Sequence, residues 1–405
     1  MKIGLFTDTY YPQINGVATS VRILKENLEM FGHQVFVFTT TDPQAEKEEK
    51  NVFRVRSFPI VSDRRVGMFY QPQLARAIKN IGLDIIHTHT EFSLGIFGKL
   101  VARMLHIPLL HTYHTIYEDY THYIIKKGTM NPFAKSVAKK MSAHFCNSAD
   151  KVIVPTDKVK DLLSSYGVRR NISIIPTGID LNKFSKAHYE WNRIQKIRRD
   201  LGIGSIDQVL LYIGRLSLEK NILEIIMNLK PYLQKHKHVK LVLVGDGPAR
   251  DDLENVVQQL NLSKQIIFAG EIPWDDIGLY YQLGDVFVSA STSETQGLTY
   301  IEALASGLPV LAKEDRCLEG VLENNVNGYS FINQKEFLQR LDFILQDPKK
   351  RLQLSEGAIQ STRKFSAKYF ALSVEKVYKN THVTVREGKR YFRKGNLQVT
   401  SRKSE

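Results

Sequence analysis

Two glutamates, Glu294 and Glu302, stand eight residues apart in the stretch DVFVSASTSETQGLTYIEALASGLP, residues 285–309. An apolar run, a polar turn and a helix-compatible run follow one another here, which predicts strand, loop and helix. Helical side chains lean toward the helix N-terminus, so Glu302 is expected to project back toward the loop that holds Glu294. Carboxylates accept charge-assisted hydrogen bonds from hydroxyl groups, so the pair indicates a sugar-like ligand. The alternative is a solvated loop acid and a helix-surface acid.

Two basic residues, Arg215 and Lys220, precede a predicted helix in the run IGRLSLEKNILEII. Gly214 permits a tight turn just before them. Helix N-termini carry partial positive charge, so basic residues placed there leave an excess that an anion such as a diphosphate would neutralise. A structural arginine and a surface lysine are the alternative interpretation.

A glycine turn in FTDTYYPQINGVATSV places Gly16 between the first predicted strand and the first predicted helix. The glycine lets the backbone approach a ligand, and the helix beginning near Val17 is expected to offer free amide groups to a phosphate. The chain contains neither the dinucleotide fingerprint G-x-G-x-x-G nor a Walker loop. The turn from Gly245 to Pro248 is interpreted as a strand-to-helix connection near the nucleotide, without a catalytic role.

Four histidines cluster at two predicted strand ends, in IIHTHTEF and LLHTYHTIYEDY. They are His87, His89, His111 and His114. An H-x-H pair occurs in metal sites. No set of carboxylates or cysteines completes a ligand shell with familiar spacing, so structural histidines are the favoured interpretation and no metal is predicted.

The elements that must position these residues are strands alternating with helices along the whole chain. The alternation pauses in SKAHYEWNRIQKIRRDLGI and then restarts, and a chain of 405 residues is long enough for two cores. The sequence therefore predicts two Rossmann-like, doubly wound parallel-sheet domains of the α/β class, facing across a cleft. The predicted parts are residues 1–180, 181–360, a helix over 361–380 and a basic tail over 381–405. The two cysteines, Cys146 and Cys317, indicate neither a disulfide framework nor a zinc site.

The net charge of +14 is unevenly distributed, which points toward an anionic surface. Residues 120–149 contain five lysines and no acid, and residues 376–405 contain nine Lys or Arg against two Glu. In NPFAKSVAKKMSAHFC, apolar residues recur every four positions with lysines between them, the pattern of an interfacial helix. Its members are Phe133, Val137, Met141 and Phe145, with Lys135, Lys139 and Lys140. An ordinary domain helix that buries the four apolar residues, and a disordered tail, are the alternatives.

The segment STSETQGLTYIEALA resembles the E-x7-E signature of retaining glycosyltransferases with the two-domain GT-B architecture, glycosyltransferase family 4. The pattern G-R-x-x-x-x-K at Gly214–Lys220 and the pattern H-T-x-H-T at His111–Thr115 resemble the same family. The segment STSETQGLTYIEALA, together with HTEFSLG and HTYHTIYEDYTHY, resembles more narrowly the form found in the bacterial alpha-monoglucosyldiacylglycerol synthases. In this family the helix near the C-terminus crosses back onto the first domain.

The resemblance implies a role for each candidate residue. Glu302 would bind the ribose, Glu294 the hexose, and Arg215 with Lys220 the diphosphate, where they stabilise the leaving group. His114 would lie against the donor sugar. Further residues are assigned to the donor site, namely Gly16, Gly297, Leu298 and Thr299, and others to the acceptor site, namely Asp8, Asp119 and Tyr120.

The resulting expectation is a retaining enzyme that transfers glucose from UDP-glucose to 1,2-diacylglycerol, with no cofactor and no metal. No apolar stretch reaches the roughly 18 residues needed to span a bilayer, so the protein is expected at the cytoplasmic face of the membrane, held peripherally by anionic lipid. The alternatives are transfer of a second hexose to a glycolipid, a soluble sugar-nucleotide epimerase or hydrolase, and a non-catalytic scaffold that binds nucleic acid. Nucleic acid is not expected, because the basic patches show little interleaving of aromatic residues and no known nucleic-acid motif.

Overall fold

The computed structural model describes residues 1–13, 15–45, 49–61, 64–67, 71–116 and 131–382. The chain divides into two compact units. Unit 1 comprises Met1–Gly178 and resumes at Ala367, and unit 2 is Ile179–Ser366. Each unit contains its own parallel sheet, so the predicted α/β class with two doubly wound sheets is confirmed.

Unit 1 is built on a parallel sheet whose strands are mostly apolar, as expected of strands covered on both faces. Its strands are β1 (Lys2–Phe6), β2 (Gln34–Thr40), β3 (Val52–Val55), β6 (Ile85–Thr88), β7 (Leu109–Thr112), β8 (Lys151–Val154) and β9 (Ile172–Ile174). Among the described residues their order is β3-β2-β1-β6-β7-β8-β9. The order reverses beside β1, the place where open sheets of this kind bind ligands. A separate antiparallel hairpin pairs β4 (Ser57–Val61) with β5 (Arg64–Gly67).

Helices cover both faces of this sheet. They are α1 (Gly16–Met30), α2 (Pro72–Ile81), α3 (Ser93–Leu105), α4 (Asn131–Ser148), α5 (Asp157–Ser165) and a last helix over 367–382. One apolar core joins the sheet to α2, α3, α4 and α5, and a second joins it to α1 and the last helix. The last helix packs through four buried residues at helical spacing, Phe370, Ala371, Val374 and Tyr378. The C-terminal helix is therefore part of unit 1.

Unit 2 has the same design. Its strands are β10 (Gln208–Ile213), β11 (Val239–Val244), β12 (Ile266–Gly270), β13 (Val286–Ser289), β14 (Val310–Lys313) and β15 (Gly328–Phe331). Its helices are α6 (Leu181–Phe184), α7 (Trp191–Asp200), α8 (Ile222–Lys235), α9 (Arg250–Gln259), α10 (Ile277–Tyr281), α11 (Leu298–Ala305), α12 (Gln334–Gln346) and α13 (Pro348–Ser361). The described strands run parallel in the order β12-β11-β10-β13-β14-β15, so the order reverses between β10 and β13. The loops that follow these two strands carry the candidate cations and Glu294.

The described part of the chain contains no helix that is both long enough and apolar enough to cross a membrane.

Candidate active site

A direct ion pair joins Lys220 and Glu294, for which the family resemblance implies binding of a diphosphate and of a hexose. The Nζ atom of Lys220 lies 2.6 Å from Oε1 of Glu294, and each side chain is 18% exposed. Lys220 ends a short 3-10 turn after β10, and Glu294 lies in the loop after β13. Neighbouring parallel strands end at the same edge of the sheet, which is why residues 74 positions apart meet.

The loop that carries Arg215 is shaped by glycines. Gly214 has φ +154°, and the Tyr212 hydroxyl donates to the Arg215 carbonyl oxygen over 3.2 Å. A Cβ at Gly245 would lie 2.1 Å from the Gly214 carbonyl oxygen, and one at Gly247 would lie 2.4 Å from that of Leu216. The strand-to-helix turn after β11 therefore packs directly against this loop. The side chain of Arg215 is exposed.

Glu302 is buried rather than on the helix surface, with 4% of the residue exposed. The hydroxyl of Tyr281 donates to its Oε2 atom over 2.7 Å. Burial raises the pKa of the Glu302 carboxyl to about 7, although the Tyr281 hydrogen bond and the charge of Lys183 act in the opposite direction. A buried carboxyl whose pKa is raised in this way is more typical of a binding site than of an acid on the protein surface.

The start of α11 requires glycine at position 297. Gly297 has φ +71°, and a Cβ there would lie 2.3 Å from the ring of Tyr300. Leu298 and Thr299 form the first turn of α11 and are partly exposed. This turn therefore connects the loop of Glu294 to the helix that holds Glu302.

The first helix of unit 1 does not offer the free amide groups that the sequence led us to expect. The Oδ1 atom of Asn15 accepts hydrogen bonds from the amides of Val17 and Ala18, at 3.1 and 2.9 Å. The Thr19 amide donates to the Asn15 carbonyl oxygen. Asparagine is a favourable N-cap residue, and its side chain occupies the position that a phosphate would take. Gly16 is exposed at this helix end.

Asp8 joins the end of β1 to the start of α3. Its carboxylate accepts hydrogen bonds from the hydroxyls of Thr90 and Ser93 and from the amide of Leu94. Burial raises the pKa of this carboxyl, and these hydrogen bonds act in the opposite direction. The contacts give Asp8 a role in holding α3. Asp119 and Tyr120, the other predicted acceptor residues, lie outside the described residues.

The four histidines fall into two kinds. Both ring nitrogens of His87 are bonded, to the hydroxyls of Tyr378 and Thr112, and those of His111 are bonded to Thr88 and Glu91. His89 and His114 instead contact each other, with His89 Nδ1 lying 3.0 Å from His114 Nε2. Burial lowers the pKa of His114 to about 3 and the pKa of His89 well below its usual range, so both rings are neutral. Within the described residues no group of three potential ligands could hold a metal ion.

Helix α4 exposes part of its predicted apolar stripe. Val137 is 39% and Met141 54% exposed, whereas Phe145 is buried in the core. Lys139 and Lys140 are also exposed, and Lys135 is partly exposed. The exposure of Val137 and Met141 contradicts the interpretation in which α4 buries its apolar residues in the domain. The burial of Phe145 contradicts the expectation that it shares one interfacial stripe with Val137 and Met141. Phe133 lies in the first turn of α4, where the side chains are outside the described part.

Sequence reasoning missed another ion pair at the strand ends of unit 2. Lys313, the last residue of β14, lies 2.6 Å from Glu224 in the first turn of α8. A charged residue at the end of an apolar strand was the available signal. The pair adds another cation to the strand-end edge that carries Lys220.

Comparison with known proteins identifies the family. The family model described as Glycosyltransferase Family 4 matches residues 14–183, and the model described as Glycosyl transferases group 1 matches residues 193–361. An alpha-monoglucosyldiacylglycerol synthase from Streptococcus pneumoniae is 44% identical over 83% of this chain and 76% of its own length. The chain belongs to glycosyltransferase family 4. An alpha-monoglucosyldiacylglycerol synthase from Acholeplasma laidlawii is 36% identical over 93% of this chain and 96% of its own length.

Solved structures support the fold of this family 4 member. The Anabaena HepE protein in complex with UDP has a TM-score of 0.75 at 19% identity, covering 94% of this chain and all of the other. A sucrose-phosphate synthase from Thermosynechococcus elongatus has a TM-score of 0.75 at 22% identity, covering 95% and 99%. The predicted GT-B fold is thereby confirmed. The curated relatives and the group 1 family model show that the protein is a hexosyltransferase.

Proposed function

We propose that this glycosyltransferase transfers glucose from UDP-glucose to the free hydroxyl of 1,2-diacylglycerol, with retention of the α configuration. The observation that supports the proposal is the contact between Lys220 and Glu294, because a cation suited to a phosphate and an acid suited to sugar hydroxyls lie side by side. The two relatives named alpha-monoglucosyldiacylglycerol synthase support the choice of glucose and of a diacylglycerol acceptor.

In this proposal the donor itself replaces the ion pair. The diphosphate forms ion pairs with the ammonium group of Lys220 and the guanidinium group of Arg215. Glu294 then accepts hydrogen bonds from hexose hydroxyls. Glu302 accepts hydrogen bonds from the ribose. The pair keeps both side chains ordered before the donor arrives, which lowers the entropy cost of forming the site.

The proposed chemistry needs positive charge at the leaving group more than it needs a protein base. The bond between the glucose anomeric carbon and the β-phosphate oxygen breaks, and negative charge develops on that oxygen beside Lys220 and Arg215. The acceptor hydroxyl oxygen bonds to the anomeric carbon on the same face, and its proton passes to the departing phosphate. No metal or cofactor takes part in this proposal.

The acceptor is a lipid, so the proposal includes binding to the cytoplasmic face of a membrane. The exposed Val137 and Met141 lie on α4 with the exposed Lys139 and Lys140, which supports insertion of apolar side chains beside anionic lipid headgroups. Each well-placed lysine adds roughly 1 kcal/mol of attraction to an anionic surface.

A transfer assay with vesicles tests the proposal. The full chain is incubated with labelled UDP-glucose or UDP-galactose and vesicles containing either diacylglycerol or a monoglucosyl lipid, and the lipid products are separated. We expect a monoglucosyl product from UDP-glucose and diacylglycerol, lost in Glu294→Ala but kept in Glu356→Ala, an exposed acid of the same unit. Label appearing only in the diglycosyl lipid would assign the second-hexose activity instead, and no lipid product would reject both.

A further inference from the structure

His89 is a buried histidine that none of the assigned roles uses. Only 2% of the residue is exposed, and its ring lies 4.1 Å from that of His87, measured between centroids. Its Nδ1 atom contacts His114 Nε2, while its Nε2 atom is buried without a hydrogen-bond partner among the described residues. A buried polar atom without a partner is costly, so the placement of the ring protons matters.

Two arrangements of the protons fit the contact between the two neutral rings. In the first, His89 carries its proton on Nδ1 and donates to His114 Nε2, so the unpartnered Nε2 of His89 is a bare acceptor. In the second, His114 donates and His89 carries its proton on Nε2, which leaves a buried N–H group unsatisfied. Orphaned buried N–H groups are rarer in proteins than acceptors with unused capacity, and this favours the first arrangement.

We propose that His89 is a positioning residue that fixes His114 as the Nδ1–H tautomer. The Nδ1 atom of His114 has no hydrogen-bond partner within the described part of the chain, so this tautomer presents an N–H donor to a ligand. The inference rests on the proposed function, in which the ligand group is an oxygen atom of the transferred glucose. His114 then donates a hydrogen bond to the sugar and cannot remove a proton from the acceptor, because its other nitrogen is occupied by His89.

Nitrogen NMR of histidine-labelled protein tests the tautomer without any substrate. The two ring nitrogens of a neutral imidazole differ strongly in chemical shift according to which one is protonated. The signals of His114 are assigned by their loss in His114→Gln. We expect the protonated nitrogen of His114 to be Nδ1 in the wild-type protein, and a mixture of tautomers in His89→Leu. Protonation of His114 at Nε2 in the wild-type protein would overturn the proposal.

Kinetics separate positioning from a merely structural role. His89→Leu is expected to lower kcat roughly tenfold to hundredfold, as losses of orienting hydrogen bonds do elsewhere, while His89→Asn keeps an N–H near the Nδ1 position and retains most activity. In the His114→Ala background, His89→Leu should have little further effect, because its contribution passes through His114. An equal loss in both backgrounds would overturn the proposal. If no lipid is glucosylated at all, the proposed function fails, while the tautomer measurement still stands by itself.

Discussion

Replacing Glu302 with glutamine tests whether the buried carboxyl is held in the protein at a cost to stability. The pKa of the Glu302 carboxyl is about 7 in the folded protein, against an ordinary value of 4.5. The folded protein therefore holds this proton more tightly than the unfolded chain does. The stabilising contribution of this proton is complete below pH 4.5 and is lost as the pH rises through 7. From the two pKa values the loss amounts to about 3 kcal/mol.

The glutamine variant lacks this loss, because it does not titrate. Its amide oxygen still accepts the hydrogen bond from Tyr281, and any penalty for its buried N–H groups is the same at every pH. The free energy of unfolding of the variant, relative to the wild type, should therefore rise by about 3 kcal/mol between pH 4.5 and pH 8. For a unit of this size the relative melting temperature should rise by roughly 6–12 °C.

Thermal unfolding of both proteins at the two pH values measures this effect, with Glu356→Gln as the exposed control in the same unit. The Glu302→Gln variant should also bind UDP roughly tenfold or more weakly by calorimetry, because hydroxyls bind a carboxylate more tightly than an amide. A stability difference that is the same at pH 4.5 and pH 8 would refute the reasoning about Glu302, whatever the binding result.

Three further predictions follow from individual contacts. Lys220→Gln should lower kcat/KM for UDP-glucose roughly hundredfold or more, because the developing phosphate charge loses a cation; steady-state transfer assays measure this. Lys139→Glu combined with Lys140→Glu should weaken binding to anionic vesicles roughly tenfold or more in sedimentation assays, since both charges would be repelled. Asp8→Asn should destabilise unit 1 by about 1–3 kcal/mol in denaturant unfolding, because it removes one acceptor from the start of α3.

The vesicle-binding prediction has a matched control, and each of the three predictions has an outcome that would contradict it. Lys335→Glu combined with Lys349→Glu makes the same charge change on exposed residues of unit 2 and should leave vesicle binding less affected. Equal weakening by both pairs would show that net charge, rather than α4, drives binding. Wild-type kcat/KM in Lys220→Gln would remove Lys220 from the donor site, and an unchanged unfolding midpoint in Asp8→Asn would show that its hydrogen bonds do not stabilise α3.

The parts of the molecule that depend on local pattern were predictable from the sequence. The alternation of apolar strands with helices predicts two parallel sheets, and the rule for strand ends predicts that ligands bind beyond the carboxyl ends of the strands, where the loops of Lys220 and Glu294 lie. The 2.6 Å contact between Lys220 and Glu294 agrees with that placement. The family was also recognisable, because E-x7-E and G-R-x-x-x-x-K are specific patterns.

Contacts between distant side chains were not predictable in this way. The pattern placed Gly16 just before the first helix, whereas Gly16 is the first residue of α1, and it could not show that the Asn15 side chain accepts from the amides of Val17 and Ala18. Nothing in the local sequence of Glu302 shows that Tyr281 lies beside it. Helical spacing grouped Phe145 with Val137, although α4 turns Phe145 toward the core, because a repeat of four drifts around a helix of 3.6 residues per turn.

The anomeric configuration of the lipid product tests the central claim most directly. The full chain is given UDP-glucose and diacylglycerol vesicles, and the purified glycolipid is examined by proton NMR at its anomeric position. The site built around Lys220, Arg215 and Glu294 is proposed to retain the α configuration of the donor glucose, so the expected product is a single α-glucosyl diacylglycerol. A β-glucosyl lipid, or a product that carries no glucose on diacylglycerol, would contradict the account.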